Sequence, residues 1–358
     1  LIILIPIQMK TTYKILFLLI LIPKLVWSFD DKKAFIKEKT LSKTYDVNAD
    51  ALLHVTNKYG AINVYLWDEN KISIQVNITV SGNKEDKVNE LLKAIDVSFQ
   101  GNSSKVSATT ELNTKNGSGN NISYEINYVV KIPRNGSIDL VNKYGNIAID
   151  KLNGSSIIEC EYGSLTLGQF TNKSNTITLA YSPSTTINSI DKLSLKSQYS
   201  TVEIGKANQL SINGNYNTFI FQSIENLNIA SNYTKIKATS LTKSTINGNY
   251  LTVKLGEIKN ATAINSNYSD IYLNANSKTN SILIDGNYSH SKITCASDFA
   301  FDFAIAMNYG SFKDNLGVKY TDKKEKGTSK SYSGYHLSQG KSKINITTNY
   351  GSVQLLTK

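Results

Sequence analysis

The chain has 358 residues, a hydrophobic content of 40% and a formal net charge of +11. This apolar content can sustain a core, and the length would suit about two ordinary domains. Arg134 is the only arginine, and nucleic-acid readers depend on arginine and clustered base-stacking aromatics, so we expect no nucleic-acid partner. The charge mainly reflects a bias toward Lys, Asn and Ile. The alternative is a basic face for acidic glycans.

The first 28 residues predict export. Lys10 and Lys14 precede an apolar run from Ile15 to Ile22. Cleavage is expected before Phe29. This is the pattern of a secretory signal peptide, and the residues before Met9 resemble an upstream extension. The alternative is an uncleaved membrane anchor over residues 1–26. No later apolar run has membrane-spanning length, so the protein is expected in the periplasm, on the outer surface or secreted.

Residues 29–133 are predicted to form a strand-rich segment with one short helix. Alternation from Ile72 to Val80 predicts a strand, and a first tyrosine unit surrounds Tyr59. An apolar stripe at helical spacing between Val88 and Ile95 predicts the helix. We expect this stripe to pack on the sheet.

From residue 134 onward one tyrosine recurs, at intervals of 17–21 residues until Tyr309. The last interval, from Tyr309 to Tyr350, is 41 residues, close to two periods. An aliphatic residue usually precedes the tyrosine by four positions, a small residue by two and asparagine by one. Apolar residues follow at three and five positions. The recurring residues, predicted to be structural with a second role as a binding face, are Tyr144, Tyr162, Tyr181, Tyr199, Tyr216, Tyr233, Tyr250, Tyr268, Tyr288, Tyr309 and Tyr350.

This repeat predicts an all-β fold. Alternation at period two indicates short strands, and its parity changes after the tyrosine, so the chain must bend there. A unit this short cannot bury its apolar face alone, whereas stacked units share a core. Residues 134–358 are therefore predicted to form a single-stranded β-helix (β-solenoid) with about 17–21 residues per coil. Residues 313–341 break the period and are predicted to be a polar, lysine-rich loop, with the final unit expected as the last strand.

The tyrosine rings have two interpretations. In the first, they point inward at a bend and form a buried stack that adds about 0.5–1.5 kcal/mol per pair. In the second, they line an outer face and stack on sugars or cell-wall polymer. Parity favours the first interpretation, because the tyrosine and the aliphatic residue four positions before it have the same parity. The asparagines next to the tyrosines are expected to face outward.

The repeat units resemble those of a family of secreted bacterial proteins described as putative adhesins. The resemblance is carried by Asn57-Lys-Tyr-Gly-Ala-Ile-Asn-Val64, Asn142-Lys-Tyr-Gly-Asn-Ile-Ala-Ile149 and Asn349-Tyr-Gly-Ser-Val-Gln-Leu355, and it covers most of residues 45–358. It implies a single-stranded β-helix, export and a role at the cell envelope, and it brings no catalytic residues. Many family members have Gly after the aromatic residue throughout, whereas the middle units here have Ser, Asn, Thr or Leu.

No catalytic, metal or cofactor site is predicted. His54, His290 and His336 lie far apart in sequence, and no His/Cys/carboxylate group has metal-ligand spacing. Cys160 and Cys295 are about seven coils apart, roughly 30 Å and too far for a disulfide. Glycoside cleavage needs paired carboxylates. The acids that stacked coils could bring together are Asp270, Asp285, Asp298 and Asp302.

The predicted function is a non-enzymatic, exported envelope protein that acts as an adhesin or surface-binding scaffold. Its expected ligand is a glycan or a cell-surface protein. One alternative is a carbohydrate-active β-helix enzyme that uses an acid cluster on one face. The other is a periplasmic structural or signalling partner. The sequence leaves the oligomeric state open.

Overall fold

The computed structural model describes residues 34–113 and 121–358, which form strands and one short helix. The predicted signal peptide, residues 1–28, lies outside the described residues. Within the described residues the strands join one 26-stranded sheet, and none of the helices there is long and apolar enough to cross a membrane. The molecule is therefore mostly β, as the alternating pattern predicts.

The N-terminal part covers one end of the sheet with antiparallel strands and the helix. Its elements are β1 (Phe35–Asp46), β2 (Leu52–Lys58), β3 (Ile62–Trp67), β4 (Lys71–Gly82), α1 (Glu85–Ala94), β5 (Ile95–Gly101), β6 (Lys105–Leu112) and β7 (Ile122–Pro133). Strands β1, β4 and β7 pair antiparallel, and β7 then pairs in parallel with β3. The helix packs on β1 and β4 and buries Val88 and Leu91. The predicted short helix and its packing on the sheet are confirmed.

A long series of parallel strands follows. Its elements are β8 (Ser137–Lys143), β9 (Ile147–Leu152), β10 (Ser156–Glu161), β11 (Leu165–Phe170), β12 (Asn175–Ala180), β13 (Thr185–Gln198), β14 (Thr201–Asn215), β15 (Thr218–Asn232), β16 (Lys235–Asn249), β17 (Thr252–Asn267), β18 (Asp270–Ala275), β19 (Ser281–Asn287) and β20 (His290–Cys295). Equivalent repeat positions pair directly: Val202 lies beside Phe219, and Phe219 lies beside Ile236. The first tyrosine unit joins the same stack, because β2 and β3 pair with β8 and β9.

The units of β13 to β16 have three corners around a shared core. In β15 the buried positions are spaced by two from Phe219 to Phe221 and again from Leu227 to Ser231. Ile224 lies three positions after Phe221, and Leu227 lies three positions after Ile224, so the chain turns twice there. The third turn lies at the tyrosine. Burying each large apolar side chain contributes about 1.5–3 kcal/mol, and equivalent positions in successive units make this core continuous.

The last unit in sequence is not the last unit in space. The C-terminal elements are β21 (Phe301–Asn308), β22 (Ser311–Asp314), β23 (Lys319–Lys326), β24 (Ser329–His336), β25 (Ser342–Asn349) and β26 (Ser352–Thr357). Strand β25 pairs in parallel with β19 on one side and β21 on the other, and β26 lies between β20 and β22. The expectation that the final unit forms the last strand is wrong. Insertion gives β25 hydrogen-bonding partners along both edges.

The segment 313–341 is not a loop, contrary to the prediction. It contains the antiparallel hairpin β23–β24, and β24 pairs antiparallel with the outer edge of β21. Tyr332 is buried in this hairpin, with its ring 5.2 Å from that of Phe312. Lys323, Lys324 and Lys326, three of the four lysines that suggested a loop, lie on β23, which pairs only with β24 in the described residues. The fourth, Lys330, lies on β24. Charged side chains on such an edge strand oppose pairing with other chains.

Candidate functional site: a ladder of exposed tyrosines

The recurring tyrosines point outward, so the inward interpretation is wrong. The eleven predicted rings are 43–60% exposed. The parity argument assumed an extended backbone through the tyrosine. Instead Tyr233 has φ 54°, and the buried positions on either side of it, Ser231 and Thr234, are three residues apart. This left-handed residue redirects the ring toward solvent.

Every tyrosine of the series has the same unusual backbone conformation. Tyr59 and the eleven predicted tyrosines have φ between 50° and 64°. Left-handed backbone costs an L-residue about 1–2 kcal/mol. Gly adopts it without this cost, and Asn adopts it more readily than bulky residues do. The turn would therefore form more easily with Gly or Asn at these positions.

The rings form one continuous stack. Neighbouring centroids are 4.7–5.1 Å apart and neighbouring planes are inclined by 2–9°. These values are typical of offset stacking. In space the order is Tyr59, Tyr144, Tyr162, Tyr181, Tyr199, Tyr216, Tyr233, Tyr250, Tyr268, Tyr288, Tyr350 and Tyr309. We call these twelve residues the tyrosine ladder.

The ladder contains all eleven predicted tyrosines and one that the prediction left out. Tyr59 was recognised as part of a first unit, but its ring was not included in the ladder. The structure also reverses the expected order of Tyr309 and Tyr350. At the N-terminal end, Tyr124 contacts the Tyr59 ring edge-on at 5.1 Å and closes the stack.

Buried hydroxyl groups support the tyrosine corner from inside. The backbone N–H of Tyr233 donates to the carbonyl of Asn249 at 3.0 Å, one unit further on. In the preceding unit, the backbone N–H that follows the tyrosine is satisfied by a side chain: Asn217 N–H donates to Thr234 Oγ1 at 3.2 Å. Thr234 Oγ1 in turn lies 2.6 Å from Ser231 Oγ. In most middle units a polar residue therefore replaces Gly after the tyrosine, because its side chain bonds to buried backbone groups. Leu251 is the exception.

A second ladder, made of asparagine amides, runs beside the rings. Asn232 Nδ2 donates to Asn215 Oδ1 at 3.1 Å, and Asn249 Nδ2 donates to Asn232 Oδ1 at 3.2 Å. The pattern continues through Asn267 and Asn287 at 2.9 and 3.0 Å. These side chains are half-buried on the outer side of the strand, so the predicted outward direction is confirmed. Their side-chain oxygens also accept hydrogen bonds from backbone N–H groups next to the tyrosines, as Asn232 Oδ1 does from Asn249 N–H.

The N-terminal rings border a cavity of about 560 Å³. Its lining includes Tyr59, Tyr124, Tyr144 and Glu125. Burial, followed by the neighbouring Tyr59, raises the pKa of Tyr124 to about 12. The Tyr124 phenol next to the ladder is therefore neutral at physiological pH.

The structure does not bring the candidate acids together as pairs. Asp270 pairs in register with Thr252 and His290, and Asp285 with Asn265 and Thr347. Asp302 accepts a hydrogen bond from Gly340 N–H at 3.0 Å, and Asp298 lies in the turn before β21. In the part of the chain that the structure describes, no group of three His, Cys, Asp or Glu residues could hold a metal ion.

The histidines have separate partners. His54 Nδ1 lies 2.9 Å from Asp139 Oδ2, and His336 Nδ1 lies 2.8 Å from the Phe299 carbonyl. His290 Nδ1 lies 2.8 Å from Ser352 Oγ on the open surface of the sheet.

Both cysteines are buried and free. Burial raises the pKa of Cys160 to about 11 and that of Cys295 to about 12. These thiols stay protonated at neutral pH, which suits small core residues and not nucleophiles.

No family model and no curated protein matches the sequence. Among solved structures, the chain is similar to a putative cell adhesion protein from Clostridium sporogenes (11% identity, 90% of this chain, 100% of that chain, TM-score 0.20). It is also similar to a putative adhesin from Parabacteroides distasonis (10% identity, 88% of this chain, 97% of that chain, TM-score 0.34). A putative lipid binding protein from the same organism has 10% identity, with 88% of this chain and 96% of that chain covered and a TM-score of 0.31.

Proposed function

We propose that this chain is an exported, non-enzymatic binding scaffold of the cell envelope, and that the tyrosine ladder is its binding face. The scaffold is a β-solenoid, a single-stranded β-helix in which each unit of 17–21 residues forms one coil. The parallel register between equivalent positions and the three corners per unit support this description. Export rests on the signal-peptide pattern of residues 1–28.

The proposal rests on one observation: exposed tyrosines occupy corners whose left-handed backbone is unfavourable for them. A tyrosine occupies all twelve left-handed corners, where Gly or Asn would strain the backbone less. The rings bury less than they would in a core, since they are about half exposed. Residues held in sparsely populated backbone conformations concentrate at functional sites. A repeated exposed aromatic residue in such a conformation favours a role in recognition.

The shape of the ladder favours a polymer as the ligand. Eleven steps of 4.7–5.1 Å between ring centroids extend the row for roughly 50 Å. Small molecules bind in concave pockets that enclose most of their surface, whereas the ladder is a long, regular row on a surface. A chain of similar units could repeat its contacts along this row.

The chemistry of the ladder suits a glycan. Because each ring covers part of its neighbour, the groups left for a ligand are ring edges and phenolic hydroxyls. In the described residues, the ladder phenols beyond Tyr59 have no hydrogen-bond partner. Each hydroxyl can donate one hydrogen bond and accept others, which complements the hydroxyl groups of sugars. The ring edges add apolar contact.

Binding of purified full chain to envelope polysaccharides tests this proposal. In the ladder variant, Tyr216→Asn is combined with Tyr233→Asn, because Asn accepts left-handed backbone and should preserve the turn. The control is Tyr65→Thr, since Tyr65 is 50% exposed on β3 and lies outside the ladder. We expect the ladder variant to bind at least about tenfold more weakly, with little change in the control. Equal binding by all three proteins would contradict the proposal.

Location separates the adhesive role from that of a periplasmic partner. Trypsin applied to intact cells should release peptides of this chain if the scaffold is on the outer surface. Release only after the envelope is opened would place it in the periplasm and exclude direct adhesion. The same samples show by mass spectrometry whether cleavage has occurred before Phe29.

A further inference from the structure

A row of lysines runs beside part of the tyrosine ladder. It occupies the position four residues after each tyrosine, on the strand that leaves the tyrosine corner. Its members pair in register across six neighbouring strands. We call this set the lysine row, which in spatial order is Lys237, Lys254, Tyr272, Lys292, Gln354 and Lys313.

The lysine row is exposed and lacks counterions. All four lysines are exposed. In residues 34–113 and 121–358, the ion pairs within 4.0 Å involve other side chains. Lys254 Nζ lies 5.4 Å from the ring centroid of Tyr272, so one ammonium group contacts an aromatic face. The acids on these strands are Glu257, Asp270 and Asp314. Glu257 pairs with Lys278 at 3.0 Å, and Asp314 accepts a hydrogen bond from the Tyr320 hydroxyl at 2.9 Å.

Placing these charges side by side is unfavourable without a ligand. Lys237 and Lys254 are direct register partners, and neighbouring strands lie about 4.8 Å apart. Like charges directly opposite each other in a sheet destabilise it. A ligand with regularly spaced negative groups would remove this repulsion.

The positive charge is confined to one half of the face. At the same position in the preceding units the residues are Ala148, Thr166, Thr186, Glu203 and Ile220. Ile220 pairs directly with Lys237, so the change from uncharged to basic occurs between two adjacent strands. The tyrosine ladder continues unchanged through both halves. A general lysine bias of the sequence would not produce this boundary at one repeat position.

We infer that the ladder and the lysine row together bind an anionic polysaccharide. This inference rests on the proposed function of the ladder and names its ligand class. Carboxylate, sulfate or phosphate groups of the polymer would contact the lysine ammonium groups, while the sugar rings lie against the tyrosine edges. Nucleic acid fits less well, because bases need open aromatic faces for stacking and the ladder rings cover one another. Arg134, the only arginine, pairs with Asp68 away from this face.

A matched pair of polymers tests the charge requirement. Full chain is titrated against polygalacturonate and dextran sulfate, with uncharged dextran and single-stranded DNA as comparison probes. We expect both anionic polysaccharides to bind at least about tenfold more tightly than dextran. Affinity should fall as NaCl rises from about 0.05 to about 0.5 M, because salt screens exposed charges. Equal affinity for charged and uncharged polysaccharide, or tighter binding of DNA, would overturn the inference.

Two variants with the same change in charge locate the site. The row variant combines Lys237→Gln, Lys254→Gln, Lys292→Gln and Lys313→Gln. The control combines Lys192→Gln, Lys196→Gln, Lys206→Gln and Lys243→Gln, whose lysines are exposed elsewhere on the coils. We expect the row variant to lose at least about tenfold in affinity for polygalacturonate and the control to lose less than about twofold. Equal losses would show a general charge effect and contradict the inference.

The ladder variant separates the two proposals. If the ladder variant loses binding to an uncharged glycan while the row variant keeps it, and no anionic preference is found, the proposed function stands and the inference fails. If the ladder variant retains binding to every polymer, the proposed function fails as well. Circular dichroism of each variant confirms that the sheet is intact before binding is compared.

Discussion

Tyr288 stacks on Tyr350, although 62 residues separate them in sequence, with ring centroids 4.9 Å apart and planes inclined by 3°. The unit between them in sequence, around Tyr309, lies on the far side of Tyr350 at 4.8 Å. Tyr350, from the C-terminal unit, therefore lies inside the ladder, between Tyr288 and Tyr309. The integrity of both the sheet and the tyrosine ladder at this end depends on β25 and β26.

The inserted unit should be essential for the C-terminal end of the stack. Ile346 is 2% exposed and pairs with Ile284 on β19 and Ile305 on β21. Ile346→Ala should lower the free energy of unfolding by about 2–5 kcal/mol through loss of buried contacts. Hydrogen exchange should accelerate in both β19 and β21. Acceleration in only one of these strands would contradict an inserted position.

The tyrosine ring should contribute less to stability than a core ring does. Tyr233 is 49% exposed and stacks on two neighbours, so Tyr233→Ala should cost about 1–3 kcal/mol, from two stacked pairs. Phe219→Ala is the comparison, and this buried ring should cost about 3–5 kcal/mol. Denaturant unfolding measures both values. Equal losses would mean that the ladder is a core element.

The left-handed corner gives a second test at the same residue. Tyr233→Gly removes the ring as Tyr233→Ala does, but it also relieves the left-handed strain. The Gly variant should therefore unfold at a higher denaturant concentration than the Ala variant, by about 1 kcal/mol in the free energy of unfolding. A Gly variant that is less stable than the Ala variant would contradict the backbone strain at Tyr233.

The amide ladder should contribute measurably to the tyrosine corner. Asn249→Ala removes the bond to Asn232 and leaves Asn267 without its acceptor. We expect a loss of about 1–2 kcal/mol in the free energy of unfolding. Asn247→Ala is the matched control on the same strand, since Asn247 is exposed, and it should change stability by less than about 0.5 kcal/mol.

The buried thiols predict a loss of stability at alkaline pH. Unfolded Cys ionises near pH 8.5, whereas burial raises the pKa of Cys160 to about 11 and that of Cys295 to about 12. Above about pH 8.5 the unfolded state releases protons that the folded state retains, so the free energy of unfolding decreases as pH rises through this window. Replacing both with Ala should reduce this slope. A thiol reagent at pH 8 should label Cys160 and Cys295 only after unfolding.

The hairpin turn should be an early tryptic site. Lys326 and Gly327 are exposed, and the turn connects two strands whose backbones are hydrogen-bonded. Cleavage after Lys326 should give two fragments that stay together in gel filtration, because β25 and β26 are inserted between other strands. They should separate only in denaturant. Lys326→Gln should remove this cut.

Some features of this protein could be predicted from local pattern. The interval of 17–21 residues placed equivalent positions side by side, as in the pairing of Phe219 with Ile236. Alternation predicted the strands and the stripe beginning at Val88 predicted the helix, because both patterns follow directly from backbone geometry. The tyrosines of the ladder were identified for the same reason. The hairpin was missed because its lysines resembled a loop, although Tyr332, Gly334 and His336 alternate with more exposed residues.

The sequence by itself determined the β content, the repeat length and eleven of the twelve residues of the ladder, since these depend on spacing along the chain. The tertiary structure alone decided that the rings face solvent, because the left-handed φ of a residue such as Tyr233 breaks the parity rule without changing the sequence pattern. It also decided that Tyr350 precedes Tyr309 in the stack, because β25 gains hydrogen-bonding partners on both edges only between β19 and β21. The unbroken stack of the ladder rings results from that packing.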